Sequence, residues 1–428
     1  MTALVKGDED RIYRKVTLRL IGFLFVCFTF AFLDRINVGF AKMGMQADLG
    51  FSEAVFGFGA GIFFVSYFLL EVPSNVLLMR FGARRWIARI MFTWGILSAA
   101  TLLVQTPMQF YAVRLLLGAA EAGFFPGVIL YLTQWYPAQR RGRVITMFMA
   151  AIPVASIVGG PLSGWILSIF SDGNHLGLAA WQWLYLLEGL PAAVLGVIAW
   201  FYLDDSIESA KWLSPDEKRL LRKNIDGDRQ QAAAHRLRDA MKMPVVWLLA
   251  FVNFAYLAGI TIILWMPSML RTAGVTDTVR IGWMVAIPFM VAIVAMLVLG
   301  WTSDKTGERR WHTIIPGLFC AGGIAFMPFT LHSPVLLLTA CIFALAGNVV
   351  ANALYWNLPT AVLSGTAAAV GIAFINAFGQ IAGFASPSLF GWLFSITGSA
   401  TLGLAILASC ITAGTLSILL ISPRMVNR

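Results

Sequence analysis

The sequence predicts an all-α membrane protein: twelve transmembrane helices in two six-helix halves, with both termini cytosolic. Three observations carry this reading. Of 428 residues, 59% are hydrophobic and only 12% charged, whereas soluble domains carry about 25% charged residues. The apolar residues fall into twelve runs near the ~20 residues a helix needs to cross the hydrocarbon core. The basic residues are concentrated on one side of those runs.

In chain order the runs cover 18–41, 54–79, 86–104, 109–134, 144–170 and 180–203, then 244–269, 280–301, 312–331, 334–358, 367–394 and 400–421. The first has no A-x-A cleavage pattern and is long enough to span, so it is expected to be a retained helix and not a signal peptide. The sixth opens with "WQWLYLL" at 181–187, an aromatic cluster suited to the membrane interface. Only the connection 204–243 is long, and it contains "SPDEKRLLRKNIDGDRQQAAAHRLRD". That charge density keeps it in water. It is expected to be a cytosolic, partly helical linker between an N-terminal bundle at 1–203 and a C-terminal bundle at 244–428.

Orientation follows from charge. With both termini cytosolic, 26 of the 31 Lys and Arg residues fall in cytosolic segments. Lys42, Arg271 and Arg280 fall in outer loops, and Arg35 and Arg114 within helices. The net charge of +10 then reflects a basic face against anionic lipid, and no nucleic-acid partner is implied. Cys27, Cys320, Cys341 and Cys410 lie in apolar runs and read as small core residues. His175, His235, His312 and His332 fall in or near loops without clustering, so no metal site is expected. The chain has no nucleophile elbow and no Gly-rich phosphate loop, and an enzyme is not expected.

The two halves share a repeat. "NVLLMRFGARR" (75–85) matches "GWTSDKTGERR" (300–310), with Arg80 opposite Lys305, Gly82 opposite Gly307, Arg84 opposite Arg309 and Arg85 opposite Arg310. Parallel six-helix halves of this kind describe one class of transporter. The second copy resembles the loop signature G-x-x-x-D-[RK]-x-G-[RK]-[RK] of the major facilitator superfamily at Gly300, Asp304, Lys305 and Gly307, with Glu308 in place of the first basic residue. The first copy departs, with Asn75 for Gly and Met79 for Asp. "FLDRINVGFA", "EVPSN" (71–75), "RLLLGAAEAGFFPG" (114–127), "WYPAQRRGR" (135–143) and "LPTAVLSGTAAAVGIAFIN" (358–376) further resemble the anion:cation symporter family, nearest its bacterial tartrate-type or aromatic-acid branch.

Six ionisable residues lie within the expected spans: Asp34, Arg35, Glu71, Arg114, Glu121 and Glu188. Charges in hydrocarbon cost ~2.5–3.5 kcal/mol each on insertion scales, so they are functional candidates by default. Arg114 and Glu121 are spaced i,i+7, on one helix face and ~10.5 Å apart along the axis. Asp34 and Arg35 project ~100° apart, so one is expected to meet Arg114 and the other the substrate. An arginine fork suits a carboxylate ligand. The resemblance implies that Asp34 and Glu121 couple protons, and that Arg35 and Arg114 bind substrate and pair charge. It also implies that Trp356 and Asn376 contact substrate. It places Ile152 where some sugar-acid transporters carry Gln.

Tyr67 is expected to reach the cavity, one turn before Glu71. Glu71 is read as a gate or packing residue, and Glu188 as a structural pairing residue. Asp304 and Arg80 are expected gating residues, with Asp304 paired to basic groups or a helix N-terminus in the outward-open state. Asn253, Tyr256, Asn357 and Gln380 are the remaining polar points of the second half.

The expected function is proton-coupled uptake of a small organic carboxylate, such as tartrate or a related sugar or aromatic acid, across a bacterial inner membrane. Its partners would be the organic anion, protons and membrane lipids. The chain would act as a monomer, with no cofactor beyond the coupling proton. Sodium coupling, exchange, or a non-transporting sensor of the same fold are the alternatives.

Overall fold

A computed structural model describes residues 6–171, 176–229, 243–363 and 365–427. His175 and His235 lie outside the described residues, so their placement near loops is untested. Among the described residues, twelve helices are long and apolar enough to cross a membrane: α1 (Glu9–Leu49), α2 (Glu53–Phe81), α3 (Ala83–Leu103), α4 (Pro107–Thr133), α5 (Gln139–Ile169), α6 (Ala180–Tyr202), α7 (Pro244–Thr272), α8 (Thr278–Thr306), α9 (Arg310–Phe329), α10 (Pro334–Val362), α11 (Gly371–Thr397) and α12 (Thr401–Leu420). Each corresponds to an expected run. A connecting helix, Pro215–Arg229, forms part of the linker.

Local chemistry sets several helix starts. Ser52 accepts from the Val55 amide at α2, Thr106 and Gln109 form a capping box at α4, and Asp277 accepts from the Val279 amide at α8. The longest departure from expectation is α1. Its 41 residues span about 62 Å at 1.5 Å per residue, roughly twice the hydrocarbon thickness. At its start, Ile12, Tyr13 and Val16 are buried. Tyr13 stacks on Tyr136, and Lys15 pairs with Glu217 of the connecting helix at 2.9 Å. At its end, α1 continues past Gly44, which carries Lys42 into the helix and away from the outer loop expected for it.

Within the first set of helices, α3 packs on α6, α2 on α4, and α1 on α5 and α6. Within the second, α9 packs on α10, α7 on α11 and α12, and α8 on α10. Among the described residues the sets meet chiefly along three seams: α2 with α11, α5 with α8, and α1 with α7. All three lie at the helix ends distal to the termini, and glycine makes each possible. A Cβ on Gly282 would come within 2.8 Å of the Gly160 carbonyl carbon, and one on Gly39 within 2.8 Å of the Leu264 oxygen. Thr278 Oγ1 donates to the Gly164 carbonyl at 3.0 Å across the α5–α8 seam.

The apolar core follows the same asymmetry. One cluster joins Ile36, Phe40 and Phe56 of the first set to Leu264, Trp265 and Phe390 of the second. The other, including Ile12, Phe28, Trp94 and Tyr136, draws its buried members from the first set and the connecting helix. Toward the terminal face, Leu69, Val72, Val76 and Met79 of α2 are exposed. The sets are closed on each other distally and splay toward the terminal face.

The repeated loops both place a glycine at positive φ, Gly82 at 89° and Gly307 at 67°, but their ψ values differ, 147° against 6°, so the two turns are not the same. The residues missing from the signature are replaced from elsewhere. Asp205, beyond α6, accepts from the Arg84 amide at 2.9 Å and pairs with its guanidinium at 3.4 Å. Glu308 accepts from the Trp311 and His312 amides at 2.8 and 3.1 Å. Asp304 and Arg80 are exposed, and neither forms an ion pair among the described residues; Arg80 lies over the Phe81 ring.

Candidate functional site: a charge centre and a distal latch

The expected charges of α1 and α4 converge, in an arrangement that differs from the one read off their spacing. Arg35 crosses from α1 to Glu121 on α4, with Nε donating to Oε1 at 2.9 Å and a terminal nitrogen donating to the same oxygen. Its guanidinium lies 5.1 Å from the Tyr67 ring centre and 5.6 Å from that of Phe63. Glu121 is buried, whereas Arg35 keeps 20% of its side-chain surface open. Glu121 ends the first segment of α4, and the chain then turns through Gly123 in the left-handed region, φ 86°. The helix break sits directly beside the ion pair.

Asp34 points away from Arg114, contrary to expectation. It is buried against α3, where Trp94 Nε1 donates to it at 2.6 Å and Ser98 Oγ at 2.8 Å, and Asn37 Nδ2 donates at 3.2 Å. Three neutral donors satisfy the carboxylate, so it needs no arginine. Arg114 turns instead to α2, donating Nε to the Gly59 carbonyl at 3.2 Å and lying 5.0 Å from the Phe63 ring. No carboxylate lies within ion-pair distance of Arg114 among the described residues. The two arginines thus flank Phe63 and keep apart.

Tyr67 is buried beside Arg35, and Glu71 is half-buried within the field of Arg35. Glu188 is hydrogen-bonded to Ser163 Oγ at 2.7 Å and lacks an ionic partner. In the second half, Trp356 is half-buried against Tyr355, and Asn376 is half-buried on α11. Asn253 Nδ2 donates to the Ile375 carbonyl at 3.0 Å and holds α11 beside α7 at that level. Ile152 is partly buried against the first-set core.

A second cluster was not anticipated. Lys42, 1% exposed, pairs with Glu53 of α2 at 2.7 Å. Each then reaches the other half: Lys42 Nζ donates to Ser268 Oγ at 3.2 Å, and Trp265 Nε1 donates to Glu53 Oε2 at 2.7 Å. Lys42 also lies 4.7 Å from the Trp265 ring centre, and Gln46 donates to Glu53 at 3.0 Å. A cavity of about 600 Å³ opens distally beside this latch, with Arg271 and Phe394 on its wall. The available signal was the unbroken helical run through Lys42, with Ser52 marking the next helix start.

The Major Facilitator Superfamily profile matches residues 24–387. The chain is 45% identical over 433 residues to the putative metabolite transport protein NicT of Pseudomonas putida, covering 99% of this chain and 98% of that protein. It is 44% identical over 417 residues to a putative tartrate transporter of Agrobacterium vitis, covering 97% and 95%. The crystal structure of a D-xylose–proton symporter superposes with a TM-score of 0.75 at 15% identity, over 96% of this chain and 99% of that one, a likeness of fold. Twelve spanning helices, a repeated loop with matched glycines and similarity along nearly the whole length lead to one conclusion: this multi-pass membrane protein is a transporter and belongs to the major facilitator superfamily.

Proposed function

We propose that the protein takes up a small organic carboxylate together with protons across a bacterial inner membrane, by alternating access, with both termini in the cytosol. The observation that carries this reading is Arg35. It is held by Glu121 and by the Tyr67 ring, and a fifth of its side-chain surface remains exposed. A substrate carboxylate would compete with Glu121 for its guanidinium. Protonating Glu121 removes the competitor, so proton and anion favour each other's binding, which symport requires. Arg114, with no carboxylate partner, is the second candidate contact for the anion. Trp356 and Asn376 would line the opposite wall, with Asp304, Arg80 and Glu71 near the cytosolic gate. The relatives' names support an organic acid such as tartrate as the first substrate to test. The closed distal seams fit an inward-facing conformation, in which Asp304 has no partner to release.

The test is uptake of labelled tartrate and a panel of sugar and aromatic acids into proteoliposomes, with an imposed pH gradient, a sodium gradient, or neither. Accumulation driven by the pH gradient alone is expected. Accumulation that follows sodium, or exchange without accumulation under any gradient, would refute proton coupling.

A further inference from the structure

Glu188 lies inside α6 with 1% of its surface exposed. Its Oε1 accepts from Ser163 Oγ at 2.7 Å, and its Oε2 is buried with no hydrogen-bond partner. Asn37 of α1 lies between it and Asp34. That amide donates to Asp34 Oδ1 at 3.2 Å and also reaches Glu188, and its own Oδ1 is buried without a partner. Two buried acceptor oxygens in one place therefore lack a hydrogen.

Among the described residues, no group packed around Glu188 supplies a positive charge to it. From α1 it faces the Asp34 carboxylate; from α3, Ser98 lies across the contact of Gly189; from α5 comes Ser163. On its own helix, Tyr185 one turn earlier faces both Glu188 and Arg114. A carboxylate buried without a cation, facing a second carboxylate, is strongly disfavoured. The donor inventory assigns the charge: Asp34 receives Trp94 and Ser98 outright and Glu188 only Ser163, the Asn37 amide lies between the two with its hydrogen bond to Asp34, and Glu188 Oε2 is left without a partner.

We propose that Glu188 is a further proton-binding site. Its Oε2 carries the proton in this conformation, and Asn37 links it to Asp34 as a carboxyl pair of which Asp34 is the ionised member. The added hydrogen supplies the donor that both vacant oxygens lack. Protons then bind and leave the pair as a unit, so coupling draws on both carboxyls and not on Asp34 alone. That last consequence rests on the transport reading above; the protonation of Glu188 does not.

Infrared spectroscopy of the reconstituted protein at neutral pH tests this without transport, because the C=O stretch of a neutral carboxyl is separate from carboxylate bands. Wild type should show a neutral-carboxyl band that Glu188→Gln removes and Asp34→Asn retains. Ser163→Ala removes the one donor to Oε1 and should move the same band without deleting it, which secures the assignment if Glu188→Gln does not fold. A neutral-carboxyl region unchanged in both Glu188→Gln and Ser163→Ala would mean that Glu188 is ionised, and the proposal would be wrong. Absence of pH-driven uptake in wild type would sink the transport reading and leave the infrared result to stand by itself.

Discussion

Replacing Trp265 with Phe removes one donor from Glu53 while keeping an aromatic ring in place. That donor lies 2.7 Å from Glu53 Oε2, and Glu53 is 17% exposed, so the bond is largely desolvated. A hydrogen bond to a charged group contributes ~1.5–3 kcal/mol. Phe preserves part of the contact with Lys42, since any aromatic face attracts a cation, though less than indole does. Trp265 and Glu53 belong to different halves, so the bond exists only while the distal seam is closed. Its loss should move the open-to-closed ratio by roughly 10- to 150-fold. The reporter is Ser388→Cys in a background with Cys27, Cys320, Cys341 and Cys410 replaced. Ser388 lies in the α2–α11 seam, its Oγ only 2.6 Å from where a Cβ on Gly61 would sit. It is reachable from the distal side only when that seam parts. A membrane-impermeant thiol reagent added distally should label the Trp265→Phe protein at least ~10-fold faster than its parent, by the same energy range. An unchanged rate would show that the glycine seams alone hold this face shut and that the latch contributes nothing.

Glu121→Gln should retain substrate counterflow but fail to accumulate substrate against a pH gradient, whereas Arg35→Ala should lose both; proteoliposome flux measurements check each. Gly282→Val should raise distal labelling of Ser388→Cys, because its Cβ would meet backbone atoms of Gly160 and Pro161 at 2.8 and 3.0 Å, and backbone cannot yield as a flexible side chain can. Glu308 carries a pH prediction. Partial burial pushes its carboxyl up, but the Trp311 amide and His312 outweigh this and hold it below its ordinary value. A folded-state value below the unfolded one of ~4.3 stabilises the cap fully above that pH, and the gain is lost as pH falls through the lowered value. Exchange of the Trp311 and His312 amides, corrected for intrinsic rate, should therefore accelerate only below about pH 4.3, and Glu308→Gln should abolish that dependence.

The spans were legible because a bilayer sets a minimum apolar length that a single sequence displays. The Arg35, Glu121 and Tyr67 centre was legible because charge in hydrocarbon is conspicuous. Pairing was harder to read. Spacing placed Arg114 and Glu121 on one face of one helix, as they are, but Arg114 is taken up by the Gly59 and Ala60 carbonyls of α2 and Glu121 by Arg35 of α1. Asp34 was read as needing an arginine because its donors, Trp94 and Ser98, look in sequence like ordinary members of an apolar helix. Lys42 was assigned to a loop because basic residues usually end a span. Here Glu53 and the Trp265 ring cover it, and neither is close in sequence. Asp205 does for the first loop part of what the absent acid at Met79 would do, from 126 positions away, a substitution no local pattern reveals.

The position of the latch relative to the charge centre ties the two together. Arg35 and Lys42 are seven residues apart on the unbroken helix α1, so they share a face and stand ~10.5 Å apart along its axis. Both hold carboxylates of the first half: Arg35 holds Glu121 of α4, and Lys42 holds Glu53 of α2. Only the second of these pairs also bonds to the other half, through Ser268 and Trp265. A helix transmits a shift along its axis nearly undiminished, whereas loops absorb it. A rotation or translation of α1, were it to accompany release of Glu121 from Arg35, would have to be accommodated at Lys42, whose bonds cross the α1–α7 seam. Gly39 lies between the two lysine and arginine positions and lets the Leu264 backbone approach α1 closely, so the seam has little slack with which to accommodate such a movement. The charge centre and the distal latch therefore stand on one continuous element, α1, with Arg35 and Lys42 on the same face.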